Sequence, residues 1–307
     1  MKLSGVFAPI PTPIDEQDQV DTRRLRAALE QWVKQPLAGF VVLGSNGEAA
    51  LLDELESDRV IAAAREAIPR GTTMVVGTGR ESTQGAIKAS KRAAELGADY
   101  VLVRTPGFFK SQMTTDVFVR HYTAVADASP VPVLLYNFTA VTGVNLLPPA
   151  VARLATHANI AGMKESGGDI AQIAEVVATT PADFQMIAGS LATFYAALCV
   201  GCVGGILAPA CVVPDACDRL YALTRDGRHE EAQRLQKDLL PIAKLLGGGG
   251  YGVAGLKAAL AVIGYDVGIP RPPLVPAPEA AFAAVRQTLA QLSSLNSNGQ
   301  LSRLNTL

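Results

Sequence analysis

Short apolar runs rich in β-branched and aromatic residues alternate along this chain with longer stretches whose apolar positions recur every three or four residues. The runs are GVFAPIPTPI from Gly5, GFVVLG from Gly39, MVVGTG from Met74, YVLVRTP from Tyr100, VPVLLYN from Val131, IAGMKES from Ile160, FQMIAGS from Phe184 and GGILAPA from Gly204. Apolar runs of this length, bounded by Gly and Pro, read as strands buried on both faces. The stretches between them read as helices. DTRRLRAALEQWVK opens on Asp21, a capping residue; STQGAIKASKRAAELGA opens on Ser82 and closes on Gly97; DIAQIAEVVATT opens on Asp169. Parallel strands need a helical crossover. Eight strand–helix units in succession therefore predict an α/β fold, a (β/α)8 TIM barrel, over residues 1–210. Beyond Ala210 only helical patterns follow: PDACDRLYALTRDG, HEEAQRLQKDLLPIAKLL, VAGLKAALAVIG and PEAAFAAVRQTLAQL. They predict a C-terminal helical extension over 211–295, with GGGGYG (Gly247 to Gly252) as a hinge-like loop. Residues 296–307 carry neither pattern and are expected to form a disordered tail.

Composition narrows the class. Apolar residues make up 49% of the 307, enough for one large core, and 27 basic residues balance 28 acidic ones with no basic stripe. Nucleic acid is not an expected partner. The run from Met186 to Pro214 has no charged residue and is long enough to span a bilayer. It contains Gly189, Gly201, Gly204, Gly205 and Pro209 and breaks into strand, helix and strand, so barrel core is expected and a membrane partner is not. Prolines interrupt the N-terminal apolar stretch, and no signal peptide is expected. Cys199, Cys202, Cys211 and Cys217 all lie in apolar surroundings with no histidine close in sequence. They read as small buried hydrophobes in a reducing cytoplasm.

In a barrel of this kind the C-terminal ends of the strands carry the chemistry. Those ends offer Ser45, Asn46, Gly47 and Glu48 after the second run, GTGRES after the third, RTPGFF after the fourth, Tyr136 on the fifth, Lys164 and Ser166 on the sixth, and Gly189 and Ser190 after the seventh. The set holds one amine, one phenol and several hydroxyls. His121, His157 and His229 fall on or beside helices and read as surface or structural groups. No metal is expected, because no His/Asp/Glu cluster has ligand spacing. GTGRES lacks the last glycine of a dinucleotide fingerprint, so no nucleotide cofactor is expected either. Lysine is among the residues least often fully buried, and desolvation disfavours the charged form of an amine. A neutral amine attacks ketones and aldehydes. Lys164 therefore reads either as a Schiff-base lysine or as one that snorkels or pairs with Glu165. On a strand, Glu165 faces away from Lys164, which weakens the pairing; the residues alone leave both readings open. A second amine, Lys257, lies on what reads as an amphipathic helix outside the barrel and is expected to be structural.

GSNGE, the tyrosine of LLYN and the lysine of GMKESGGD, in this order and spacing, resemble the dihydrodipicolinate synthase / N-acetylneuraminate lyase family of class I aldolases. The resemblance runs from Gly5 to about Leu292. GFVVLGSNGEAALL, ESTQ and MKESGGD look most like its 4-hydroxy-2-oxoglutarate aldolase branch. The resemblance implies that Lys164 forms the Schiff base with pyruvate or a longer 2-oxo acid, that Tyr136 moves protons and that Ser45 holds the relay hydroxyl beside it. It also implies that Asn46 binds the substrate carboxylate, that Ser166 bonds the distal part of the substrate, with Gly189 and Val141 also at the substrate, and that the chain forms a homo-oligomer, dimer or tetramer. Two positions depart from the family pattern. Phe108 stands where a relay tyrosine is usual, and Val141 where dihydrodipicolinate synthases place an arginine that grips a second carboxylate. The expected reaction is cleavage of a 4-hydroxy-2-oxo acid to pyruvate and an aldehyde. A 2-keto-3-deoxy sugar acid dehydratase, a dihydrodipicolinate synthase-like enzyme and a 2-oxo-acid-binding barrel without turnover are the alternatives.

Overall fold

The computed structural model describes residues 3–247 and 250–295. The expected tail, 296–307, and the middle of the expected hinge at Gly247 to Gly252 lie outside them. All eight apolar runs form strands: β1 Gly5–Pro9, β2 Gly39–Val42, β3 Thr73–Gly77, β4 Tyr100–Arg104, β5 Val133–Asn137, β6 Ile160–Glu165, β7 Gln185–Ala188 and β8 Gly204–Ile206. Each pairs in parallel with its sequence neighbours, and β8 closes on β1, giving the (β/α)8 barrel that the pattern predicts. The strands are shorter than their apolar runs, and in two of them proline sets the end. Proline cannot donate to a ladder, so β1 stops at Pro9, short of Pro11 and Pro13, and β8 gives way to a tight helical turn, Ala208–Cys211, that contains Pro209.

Helices follow the strands: α1 Thr22–Trp32, α2 Glu54–Ala67, α3 Thr83–Glu95, α4 Thr115–Ala128, α5 Thr139–Thr142, α6 Pro148–Leu154, α7 Ile170–Thr179, α8 Phe194–Cys199, α9 Pro214–Arg225, α10 His229–Leu246, α11 Gly252–Val262 and α12 Glu279–Leu295. The expected caps form. The Asp21 side chain accepts from the N–H groups of Arg23 and Arg24, Ser82 from Gly85 and Asp169 from Gln172. α9 packs on β1 and α8, outside the strands, and α10, α11 and α12 pack on one another beyond it. The uncharged run is divided among β7, α8 and β8, and no helix among the described residues is long and apolar enough to cross a membrane.

Period-two alternation splits the core into two layers. Phe7, Val41, Val75, Leu102, Leu134, Tyr136, Ile187 and Ile206 fill the barrel. The alternate residues, such as Phe40, Val42, Val101, Val103, Leu135 and Met163, face the helices. Two expectations need correcting. α11 is not amphipathic: Leu256, Lys257, Ala258, Ala259 and Leu260 are all buried, because the helix is covered on more than one side. Cys199, at the last turn of α8, is exposed, whereas Cys202, Cys211 and Cys217 are buried; all four are free thiols.

Candidate active site

β5 and β6 place the phenol and the amine side by side. In their register Tyr136 lies opposite Lys164, and Lys164 lies opposite Ile187 of β7. Tyr136 and Ile187 belong to the interior layer, so Lys164 points into the barrel with them. Lys164 is 5% exposed, and its Nζ stands 4.3 Å from the centre of the Tyr136 ring, within cation–π range. Among the described residues no carboxylate meets it. Glu165 faces outward as period two requires, and its carboxylate takes the side-chain N–H groups of Asn137 at 2.7 Å and Gln172 at 3.2 Å and the Gly167 N–H. Burial raises the Glu165 pKa, and those donors oppose the shift. The pairing of Lys164 with Glu165 is thereby removed on structural grounds. Asn137 also donates to Asn145 Oδ1 and accepts from the Leu146 N–H, so the same outer cluster fixes the loop after α5.

Ser45 enters from β2. Its Oγ is 3.1 Å from Tyr136 Oη, a hydroxyl pair in which either oxygen donates. The turn that carries Ser45 and Asn46 is bent sharply. Leu43 has φ +56° and Glu48 has φ +56°, a region that side-chain-bearing residues rarely occupy. The bend presses Leu43 O against β3, where a Cβ on Gly77 would fall 1.8 Å from it, so only glycine fits. A Cβ on Gly189 would likewise fall 1.9 Å from Ser166 Oγ. The Ser166 hydroxyl therefore lies over the Gly189 backbone, and the Gly189 N–H closes the β6–β7 junction by donating to Glu165 O at 2.7 Å. Tyr136, Lys164 and Ser45 are brought together, and so are Ser166 and Gly189. Asn46 follows Ser45 on the same turn and is half-buried.

The rim differs from the interior. Val141, on α5, is 62% exposed, and Phe108 and Phe109 are 77% and 69% exposed, packed edge to face with centres 5.0 Å apart. Phe138, just after β5, lies against the phenol, with its ring centre 6.1 Å from that of Tyr136. Sequence reasoning gave no role to Glu81 or Arg104. Glu81 accepts the N–H groups of Gly107 and Phe108 at 3.0 and 2.9 Å and pairs with Arg104 at 2.6 Å. Burial raises the Glu81 pKa, but these donors outweigh it and hold the carboxyl below its ordinary value. The pair fixes the loop after β4. It also occupies the guanidinium of Arg104, which would otherwise be a cation at the strand ends. ESTQ and RTPGFF contain both residues, but nothing in either string shows that they meet.

Comparison with known proteins shows the family of the chain. The model of the dihydrodipicolinate synthetase family matches residues 2–292. A 4-hydroxy-tetrahydrodipicolinate synthase from Exiguobacterium sp. is 33% identical over 293 residues, covering 95% of this chain and 99% of its own length. A protein from Emericella nidulans described as a probable mitochondrial 4-hydroxy-2-oxoglutarate aldolase is 36% identical over 294 residues, covering 94% of each chain. Among solved structures, a prophage protein of the dihydrodipicolinic acid synthase family from E. coli, in complex with pyruvate, superposes with a TM-score of 0.88 at 27% identity and covers 95% of this chain and 99% of its own. The chain belongs to the dihydrodipicolinate synthetase family, a family of lyases.

Proposed function

We propose that the protein cleaves a 4-hydroxy-2-oxo acid to pyruvate and an aldehyde through a Schiff base on Lys164. The observation that carries the reading is the Lys164–Tyr136–Ser45 arrangement: an amine without a carboxylate partner among the described residues, against a phenol whose hydroxyl meets a second hydroxyl at 3.1 Å. Nζ attacks the 2-oxo carbon, water leaves, and an iminium forms. Its positive nitrogen is the electron sink. Tyr136 Oη takes the proton of the C4 hydroxyl as the C3–C4 bond breaks, which releases the aldehyde and leaves an enamine. Protonation at C3 and hydrolysis then release pyruvate and the free amine. A positioned acid/base group of this kind contributes about 10²–10⁴-fold. Ser45 passes the proton between Tyr136 and solvent. Asn46 holds the substrate carboxylate, so that the ketone faces the amine, and the Ser166 hydroxyl over Gly189 meets the distal end of the substrate near Val141.

The substrate is a 2-oxo acid without a second carboxylate that needs a cation. Val141 offers no charge, and Arg104 is already neutralised by Glu81. Steady-state rates on 4-hydroxy-2-oxoglutarate and on 2-keto-3-deoxygluconate test this; a large preference for the dicarboxylate overturns it. Phe108, which cannot pass a proton, favours a second reading, binding of a 2-oxo acid without turnover. Borohydride trapping of the pyruvate imine tests the first covalent step, and Tyr136-dependent cleavage removes the second reading. Four free thiols agree with a cytoplasmic enzyme, and symmetric homo-oligomers, dimer or tetramer, are the usual state of such enzymes.

A further inference from the structure

The turn that presents Ser45 is held by the C-terminal extension. Gly47 N–H donates to Gly44 O at 3.0 Å and Glu48 N–H to Ser45 O at 3.1 Å, so residues 44–48 form a closed turn. It is entered and left through the two left-handed residues Leu43 and Glu48. Backbone in this region persists only where surrounding contacts over-determine it. At Glu48 those contacts are charged. Its side chain is fully buried, with Oε1 2.6 Å from Lys257 Nζ on α11 and Oε2 accepting the Arg271 N–H at 2.6 Å. Lys257 Nζ also donates to Thr12 O at 2.8 Å and Ile269 O at 2.5 Å. The ammonium thus has two carbonyl acceptors and a carboxylate at ion-pair distance, the kind of compensation under which a buried ion pair is tolerated. Thr12 Oγ1 in turn donates to Gly47 O at 2.6 Å. The Arg271 side chain pairs with Asp18 at 3.0 Å and Glu56 at 2.6 Å, which ties the same segment to the loop after β1 and to α2.

We propose that Glu48 and Lys257 are positioning residues for the proton relay: their buried ion pair holds the 44–48 turn where Ser45 Oγ reaches Tyr136 Oη. The effect on turnover rests on the aldolase reading of the site; the effect on the turn does not. Neither residue touches the reacting atoms. Glu48 lies three positions after Ser45 within one hydrogen-bonded turn, so a shift of its backbone is passed directly to the serine. The helix that delivers Lys257 comes from outside the strand–helix repeat, so the barrel alone does not supply the clamp.

Glu48→Gln is the probe, because it keeps the volume of the side chain while removing its charge and one of its two acceptors. Displacement of a catalytic group by about 1 Å costs up to about 100-fold. The expected fall in kcat for retro-aldol cleavage is about 10- to 100-fold in the wild-type background and under about twofold in a Ser45→Ala background, since residues that act as a unit are not additive. Backbone amide exchange at residues 44–48, followed by NMR on the full chain, is expected to accelerate at least about tenfold in Glu48→Gln, as local opening becomes easier. Lys257→Arg, which keeps the charge, is expected to recover more of the kcat than Lys257→Met, the comparison that separates positioning from bulk stability. Equal losses in both Ser45 backgrounds overturn the proposal, as does unchanged amide exchange. If the wild-type protein cleaves no 2-oxo acid, the aldolase reading fails, and exchange at the turn still decides whether the pair is its clamp.

Discussion

Two lysines in this protein are almost equally buried, and they have opposite surroundings. Lys164 is 5% exposed and Lys257 is 3% exposed. Lys257 has a carboxylate and two carbonyl oxygens around its ammonium. Lys164 has the face of a phenol, and among the described residues no hydrogen-bond acceptor is placed on it. Burial pulls the pKa of Lys257 down, while the neighbouring Glu48 carboxylate opposes that shift and keeps the ammonium compensated. Burial is thus common to both residues and does not separate a nucleophile from a structural group; the partners do. An amine held by a carboxylate and two carbonyl oxygens is a clamp. An amine inside the barrel against an aromatic ring is open to a carbonyl carbon.

The sharpest way to break this comparison is to remove each amine in turn. Lys164→Met is expected to abolish imine trapping with pyruvate and borohydride, read by mass, and to lower turnover by at least about 10⁴-fold, as loss of a covalent nucleophile does. Its urea unfolding free energy is expected to stay within about 1 kcal/mol of wild type or to rise, because functional sites commonly sacrifice stability. Tyr136→Phe is expected to cost about 10²–10⁴-fold in kcat while leaving imine trapping intact; loss of trapping would show that the phenol serves imine formation and not only bond cleavage. Lys257→Met reverses the pattern of Lys164→Met. Leaving the Glu48 charge buried and unpaired is expected to destabilise the fold by about 3–5 kcal/mol, measured by urea denaturation, while protein that remains folded still traps pyruvate.

The smallest effect concerns a third buried base. His121, on α4, is 4% exposed; its Nδ1 lies 2.9 Å from Thr83 Oγ1, and its Nε2 has no partner among the described residues. Burial lowers its pKa to about 4 from 6.5, against the attraction of Glu81. It shows the effect of burial on a base without an anion in contact. Because the folded-state value is the lower one, the unfolded chain takes up the proton first as pH falls. Stability is therefore full above about pH 6.5 and declines between 6.5 and about 4, by at most ~3 kcal/mol. His121→Gln is expected to flatten that part of the stability–pH curve without changing turnover at pH 7.5. A curve that keeps its slope in the variant would assign the loss to other groups.

The alternation of apolar runs and helical stretches determined the barrel, because parallel strands buried on both faces and their crossover helices leave a periodicity in the chain itself. The same alternation set Lys164 and Glu165 on opposite faces, and their placement at a strand end was legible as chemistry. That Ser45 belongs beside Tyr136 came with the family resemblance and not with any spacing. Other features were decided only in three dimensions. Glu48 and Lys257 stand far apart in the chain, and neither local pattern says that they meet; α11 reads as amphipathic because a helix covered on several sides differs from a surface helix only through its neighbours. Glu81 and Arg104 gain a role only when the ends of β3 and β4 are brought together. Periodicity records which face of an element is dry, so the sequence carries it. Which charge lies against which buried amine depends on how distant segments close around the barrel, and that is a property of the packed molecule.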